Sequence, residues 1–357
     1  MAPTRRGVTG PPLTPSTRTP ATTPAASWFA RMEEAHRAAE LIGPASSHTV
    51  TVAGEGVELR LAGPGLAQLA LPALRHLEGP AVPRARVRVL SAESLGEPVP
   101  WSDDDVIARG DVRGFADGRF RTAHDRLSGV VTTIDSHERT AICWLTAPER
   151  APWHERAAPL RTAFHWSLTD PGTHLVHAGA VVGGAGAVLL VGPGGSGKST
   201  LALASLAAGL GYLGDDYVLI GPGGQVHSLY ATAKVTGHTL RLLPELRGAA
   251  VTDPDGEAKA VIDVLALAPE QVRRTARARA IVVPRLGGEE ARLRPARAAE
   301  GLLAVAPSTV FQLPERSGAA LQALGRLVRE TPVHVLEVGP SLPAAAALVR
   351  ELAGGAP

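Results

Sequence analysis

Residues 192–199 read GPGGSGKS and fit the pattern G-x-x-x-x-G-K-[ST] at every fixed position. Such a loop binds phosphate. Gly194, Gly195 and Gly197 let the backbone curl so that several N–H groups face one anion, and the following helix N-terminus adds partial positive charge. The spacing predicts that Gly192, Pro193, Gly194, Gly195, Ser196, Gly197, Lys198, Ser199 and Thr200 hold a nucleotide. Lys198 would reach the β and γ phosphates and Ser199 would offer a hydroxyl to Mg²⁺. Seventeen residues after Lys198 come Asp215 and Asp216, in GYLGDDYVLI. Neighbouring residues of a strand point to opposite faces, so both carboxylates can act together only where a strand ends and twists. One of them would hold the metal or its water and the other would take a proton from an acceptor hydroxyl; spacing does not say which is which, and the expected assignment is Asp215 on the metal and Asp216 as base.

The elements that must position these residues are legible. AVLLV, residues 187–191, is a short all-apolar run, as expected of a strand covered on both faces. Ser199–Leu210 has a helical pattern, and Tyr212–Ile220 reads as the next strand. His174–Val182 reads as a strand that could pair with AVLLV, which would place His177 beside the phosphate loop. Arg279–Pro284 and Val333–Val338 read as strands, and Ala319–Glu330 and Leu342–Ala353 as helices. Alternating strands and helices point to an α/β sheet.

The first half has another character. Residues 1–26, rich in Pro, Thr and Ala, are expected to be a disordered tail. Ser27–Leu41 is an amphipathic helix, His48–Leu61 a pair of strands around a Gly turn, Pro83–Leu90 an alternating Arg/Val strand, and Val130–Ile134 and Thr140–Leu145 further strands. Arg156–Leu168 reads as a helix. The expected division is therefore a tail over 1–26, a β-rich α+β domain over 27–170 and a nucleotide-binding domain over 171–357. His124, His137, His154 and His165 show no ligand spacing and nothing in the first domain forms a recognisable site, although that domain could present the acceptor.

Composition narrows the class. The chain has 357 residues, 45% hydrophobic and 20% charged, ample for two packed cores. Thirty-six basic residues against 34 acidic give +2, and aromatics are 4%, which argues against a nucleic-acid partner. The single cysteine, Cys143, excludes an intramolecular disulfide and fits a reducing cytoplasm. The run near Ala178–Val191 is short and interrupted by Gly, so no membrane span or targeting segment is expected. Only Lys198, Lys234 and Lys259 are lysines; the other 33 basic residues are arginine. A chain that uses Arg for plain positive charge has reason to keep Lys where a compact ammonium is needed.

The run VHAGAVVGGAGAVLLVGPGGSGKSTLALASLAAGLGYLGDDYVLI, about 45 residues, resembles the core of the HPr kinase/phosphorylase family, whose nucleotide core is related to that of phosphoenolpyruvate carboxykinases. A His before a small residue, the phosphate loop and a Gly-x-x-x-Asp-Asp strand occur in the same order. The resemblance implies a P-loop kinase core preceded by the α+β domain, with ATP and Mg²⁺ as cofactors. It implies catalytic roles for His177, Lys198, Asp215 and Asp216, with one of the acid pair as base. The acceptor would be a hydroxyl, of a peptide or protein serine or of a small molecule, and self-association stays open. The family's Glu–Arg–Gly signature is replaced by SLYATAKVTGH, residues 228–238, where Lys234 stands near the family's Arg and no acid is present. Lys259 falls where relatives place a basic residue before a strand. The missing acid keeps a second reading open, a nucleotide-binding regulatory protein with weak or no transfer. A carboxykinase-type enzyme would need metal ligands that the sequence does not offer.

Overall fold

The computed structural model describes residues 22–91, 99–168, 172–251, 259–310, 313–314 and 318–354. Most of the expected tail and the expected junction at residue 170 therefore lie outside the described residues. Helix α1 (Pro24–Ile42) starts three residues before the sequence suggests, because Thr23 Oγ1 accepts the Ala26 N–H at 3.1 Å and Pro24 occupies the first turn. Strands β1 (Ala45–Val52) and β2 (Glu55–Ala62) form the expected hairpin, turned by Ala53 and Gly54 at φ 49° and 83°. After α2 (Leu66–Leu74) come β3 (Pro83–Ser91), β4 (Asp111–Ala116), β5 (Phe120–Asp125), β6 (Val130–Asp135) and β7 (Thr140–Leu145). The seven strands form one mixed sheet in the order β1-β2-β3-β7-β6-β5-β4, with β2, β3 and β7 mutually parallel. Trp28, Phe29 and Met32 of α1 cover one face, against Leu90, Val131 and Ile142.

The helix expected over Arg156–Leu168 is instead two, α3 (Trp153–Ala157) and α4 (Arg161–Leu168). Pro159 causes the break. It disfavours helical backbone at Ala158, which sits at φ −141°, ψ 67°, and Leu160 follows at φ 57°. The kink aims α3 away from the first sheet while α4 packs on its second face through Ala163 and Phe164.

The second half builds a nine-stranded mixed sheet and a small three-stranded one. Its elements are β8 (His174–Val176), β9 (Gly179–Gly183), β10 (Gly186–Leu190), α5 (Lys198–Ala207), β11 (Gly211–Gly214), β12 (Val218–Ile220), β13 (Gln225–Ser228), β14 (Thr232–Thr236), α6 (Gly237–Leu242), β15 (Ala250–Val251), β16 (Lys259–Asp263), α7 (Val264–Leu267), β17 (Thr275–Arg285), β18 (Arg292–Ala296), α8 (Ala298–Val310), α9 (Gly318–Glu330), β19 (Val333–Glu337) and α10 (Leu342–Leu352). The large sheet runs β11-β9-β10-β17-β13-β12-β8, with β19 and β18 continuing from β17. Strand β10 is buried on both sides, as its apolar run implies. Val188 and Leu190 face α5 and α10, while Ala187, Leu189 and Val191 face α8 and α9. The chain is thus a mixed α/β protein with several sheets.

Two expected strands are each split. His174–Val182 is β8 plus β9, which pair with different neighbours, and Tyr212–Ile220 is β11 plus β12. Strands β14, β16 and β15, all antiparallel, were not legible beforehand.

The two halves share a core in which Val57, Leu59, Val87 and Cys143 meet Tyr217, Leu219 and Tyr230. Polar stitches cross the same joint. The Tyr230 hydroxyl donates to the Pro159 carbonyl at 2.9 Å, and the Thr232 hydroxyl to Ala157 at 2.5 Å. Tyr230→Phe is expected to lower unfolding stability by about 0.5–1.5 kcal/mol, read as a lower urea midpoint with an unchanged slope. Among the described residues no helix is long and apolar enough to cross a membrane.

Candidate functional site

The loop from Gly192 to Gly197 joins β10 to α5, the strand–loop–helix order that the sequence predicts. Gly192, Gly195 and Gly197 take φ of 153°, 83° and 90°, so three turns of the loop need backbone that side chains resist. Lys198 opens α5 and folds back, its Nζ donating to the carbonyls of Gly192 at 2.8 Å and Pro193 at 3.0 Å. It is 7% exposed. Burial holds its pKa below the usual lysine value, Asp215 and Asp216 oppose that shift, and Lys234 and Lys259 add to it. The Thr200 hydroxyl lies 2.9 Å from that of Thr239, tying α5 to the start of α6. Ser196 Oγ is buried without a hydrogen-bond partner.

Asp215 and Asp216 sit in the gap between β11 and β12. There the chain turns through Asp216 at φ 73°, and the Tyr217 N–H donates to the Asp215 carbonyl at 2.9 Å. Left-handed backbone is a conformation that Asp tolerates better than most residues. The break lets adjacent carboxylates diverge within one site. Asp215 Oδ2 accepts the backbone N–H of Lys234 at 3.1 Å, and its Oδ1 is buried with no partner. Asp216 Oδ1 receives His177 Nε2 at 2.7 Å and Lys234 Nζ at 2.5 Å. An ionised carboxylate only accepts, so the imidazole proton on this bond is on Nε2. Burial alone would raise the Asp216 pKa. The His177 hydrogen bond and the Lys234 ammonium outweigh it and hold the carboxyl well below the usual range.

His177 lies in the gap between β8 and β9 rather than on a strand beside the loop. Its N–H donates to Thr309 Oγ1 of α8 at 3.0 Å, and its ring lies 5.3 Å from that of Tyr217. Lys234 and Lys259 come from β14 and β16, opposite Val261 and Thr236 respectively. The Trp153 ring of α3 lies 5.2 Å from Lys234 Nζ and 4.4 Å from Lys259 Nζ.

These residues line a cavity of about 1090 Å³. All three lysines of the chain face it. So do Ser199, Asp215, Asp216 and His177. The first half supplies the opposite wall, including His124, Asp125, Trp153, His154, Glu155 and Arg161. Residues 27–170, in which the sequence shows no recognisable site, thus contribute side chains to the cavity wall. Two of the four scattered histidines stand on the cavity wall: His124 at the end of β5, and His154 on α3, which the kink at Pro159 turns toward the second half. Lysine scarcity was the signal for Lys234 and Lys259. Trp153, Glu155 and Arg161 carried no signal in the sequence.

No protein-family profile matches the chain, and no curated protein matches it. Among solved structures, the HPr(Ser) kinase/phosphatase from Coxiella burnetii aligns over 50% of this chain and 95% of that one, at 16% identity and a TM-score of 0.27.

Glu155 is the most perturbed carboxyl on the amino-terminal wall. Burial pushes its pKa up from 4.5 to about 7, against the Leu160 N–H bonded to its Oε1 at 2.8 Å and the charge of Arg161, with Asp125 adding to the rise. Between pH 4.5 and about 7 the folded chain keeps a proton that the unfolded chain has lost, so stability falls as pH rises through this window. Glu155→Gln keeps an acceptor for Leu160. It is expected to be more stable than the parent by on the order of 1–3 kcal/mol at pH 8 and nearly equal at pH 5, measured by urea unfolding at both values.

Proposed function

We propose that the chain is an ATP- and Mg²⁺-dependent phosphotransferase acting on a hydroxyl, of a peptide or protein serine or of a small molecule. Residues 171–357 would form a P-loop kinase core of the HPr kinase type. The observation that carries this reading is Asp216: a buried carboxylate, fixed by His177 and Lys234 in left-handed backbone, facing the same cavity as a Gly-rich loop with a lysine at its helix start. Mg²⁺, when bound, supplies charge neutralisation at the phosphates. Ser199 and Asp215 would hold it, and the partnerless buried Oδ1 of Asp215 fits a cation ligand. Among the described residues no three His, Cys, Asp or Glu cluster as a metal site, so phosphate oxygens and water must complete the shell.

The chemistry of the chain's own residues follows. Lys198 leaves the Gly192 and Pro193 carbonyls and pairs with phosphate oxygen. Asp216 accepts the acceptor hydroxyl proton as that oxygen bonds to the γ-phosphorus and the bond from γ-phosphorus to the ADP oxygen breaks. His177 keeps Asp216 oriented, and Lys234 balances its charge. The test is γ-³²P transfer from ATP with Mg²⁺ into pooled small proteins and peptides of the host, using full-length protein, Lys198→Met and Asp216→Asn. A labelled product lost in both variants supports the reading. Tight ATP binding, no labelled product and Asp216→Asn indistinguishable from the parent would move the assignment to a nucleotide-binding regulator, which the acid-free stretch 228–238 favours.

A further inference from the structure

The Trp153 ring lies within cation–π distance of two ammonium groups, 4.4 Å from Lys259 Nζ and 5.2 Å from Lys234 Nζ. Two like charges on one ring repel, and a single carboxylate, Asp216, answers only Lys234. Among the described residues no Asp or Glu pairs with Lys259; its partner is the ring. The repulsion extends further, since both lysines also weigh against protonation of Lys198. Elsewhere on the cavity wall Arg161 Nη2 donates to Asp125 at 3.3 Å, and Lys198 donates to carbonyls of its own loop. Among the described residues Lys259 is thus an ammonium on the cavity wall with no carboxylate partner. The cavity volume of about 1090 Å³ lies just above the range of about 300–1,000 Å³ for a pocket serving one small ligand, leaving room for an acceptor beside a nucleotide.

We infer that Lys259, seated on Trp153, is an anion subsite on the acceptor side of the cavity, and that the acceptor carries a carboxylate or phosphate close to its hydroxyl. The inference rests on the phosphotransferase reading and names the substrate class for it. The anion would sit between Lys259 and Lys234, relieve their repulsion and place the hydroxyl beside Asp216. Trp153 is then a positioning residue contributed by the amino-terminal half. Its electron-rich ring attracts and orients both ammoniums without neutralising them.

Two measurements test this. In the first, inorganic phosphate is titrated calorimetrically into full-length protein saturated with ADP and Mg²⁺. Lys259→Met is expected to weaken binding roughly tenfold, the usual scale for one charge-assisted hydrogen bond, while Lys259→Arg keeps most of it. Trp153→Leu is expected to weaken it several-fold, and Trp153→Phe to restore it. Phosphate that binds Lys259→Met as tightly as the parent overturns the inference. In the second, transfer is compared on serine peptides that differ only in Asp or Asn next to the serine. The parent should prefer Asp about tenfold through KM, and Lys259→Met should erase the preference. Transfer without an acid preference, or a loss in Lys259→Met confined to kcat, overturns it. Lys259-dependent phosphate binding with no transfer to any acceptor would sink the phosphotransferase reading and leave the subsite standing.

Discussion

Asp216→Asn is expected to lower phosphoryl transfer by roughly 10²–10⁴-fold, the range spanned by a positioned general base. The substitution is conformationally mild. Asn, like Asp, tolerates the left-handed backbone observed at φ 73°, and its carbonyl oxygen still accepts from His177 Nε2 and Lys234 Nζ. What it loses is the ability to take a proton. ATP affinity should therefore change little and kcat should carry the loss. Asp216→Ala would confuse the comparison, because it adds backbone strain of about 1–3 kcal/mol and strands two buried donors. The acid behaviour of the parent follows from the same contacts. The folded-state pKa of Asp216 is depressed, so its contribution to stability is present above the unfolded carboxyl value of about 3.9 and disappears as pH falls through the folded value. Asp216 thus stays ionised throughout mild acid, and any loss of rate between pH 5 and 7 is expected to come from another group. A variant that transfers within threefold of the parent would remove Asp216 from the role of base.

The local and the long-range parts of this site differ in how far sequence could reach them. The Gly192–Ser199 loop is set by residues within eight positions, and glycine, lysine and serine are each there for a property that spacing displays. The strand–loop–helix around it depends on the apolar run 187–191, which has no other reading. Asp215 and Asp216 were found by distance along the chain. Their divergence was not, because it depends on a strand that stops at Gly214 and resumes at Val218. The apolar residues on both sides of Asp215 and Asp216 read as one strand through Tyr212–Ile220 and hide that gap, just as the run 174–182 hides the gap at His177. The amino-terminal wall is the deeper miss. Nothing in the order Trp153-His154-Glu155 says that a kink at Pro159 will turn α3 onto β14 and β16, whose nearest pair, Thr236 and Lys259, is 23 residues apart in the chain. Only the rarity of lysine pointed across that distance. It did so because ammonium and guanidinium are not interchangeable where a compact charge must fit beside a carboxylate or a ring.

Lys198→Met should reduce transfer roughly 10²–10³-fold, the usual result of deleting one preorganised donor to charge that develops in a transition state. The argument rests on where the ammonium is held. With 7% exposure and two carbonyl partners of its own loop, Lys198 is already desolvated at the start of α5, so it would exchange carbonyl oxygens for a phosphate oxygen without shedding bulk water. Methionine fills the same volume and keeps the helix, but it cannot donate. The folding cost is small for a physical reason: burial already disfavours the charged form, as the lowered pKa records, so removing the charge relieves desolvation while two carbonyls lose a partner. Stability should shift by no more than about 1 kcal/mol. Lys198→Arg should not rescue, since a planar guanidinium cannot occupy a pocket between the carbonyls of Gly192 and Pro193 shaped for a point charge. Unlike Asp216→Asn, this variant should lose affinity for ATP as well as rate, so the pair separates donor binding from proton removal. Equal loss of nucleotide affinity in both variants would mean that Asp216 holds the nucleotide, and the base would have to be sought elsewhere on the cavity wall.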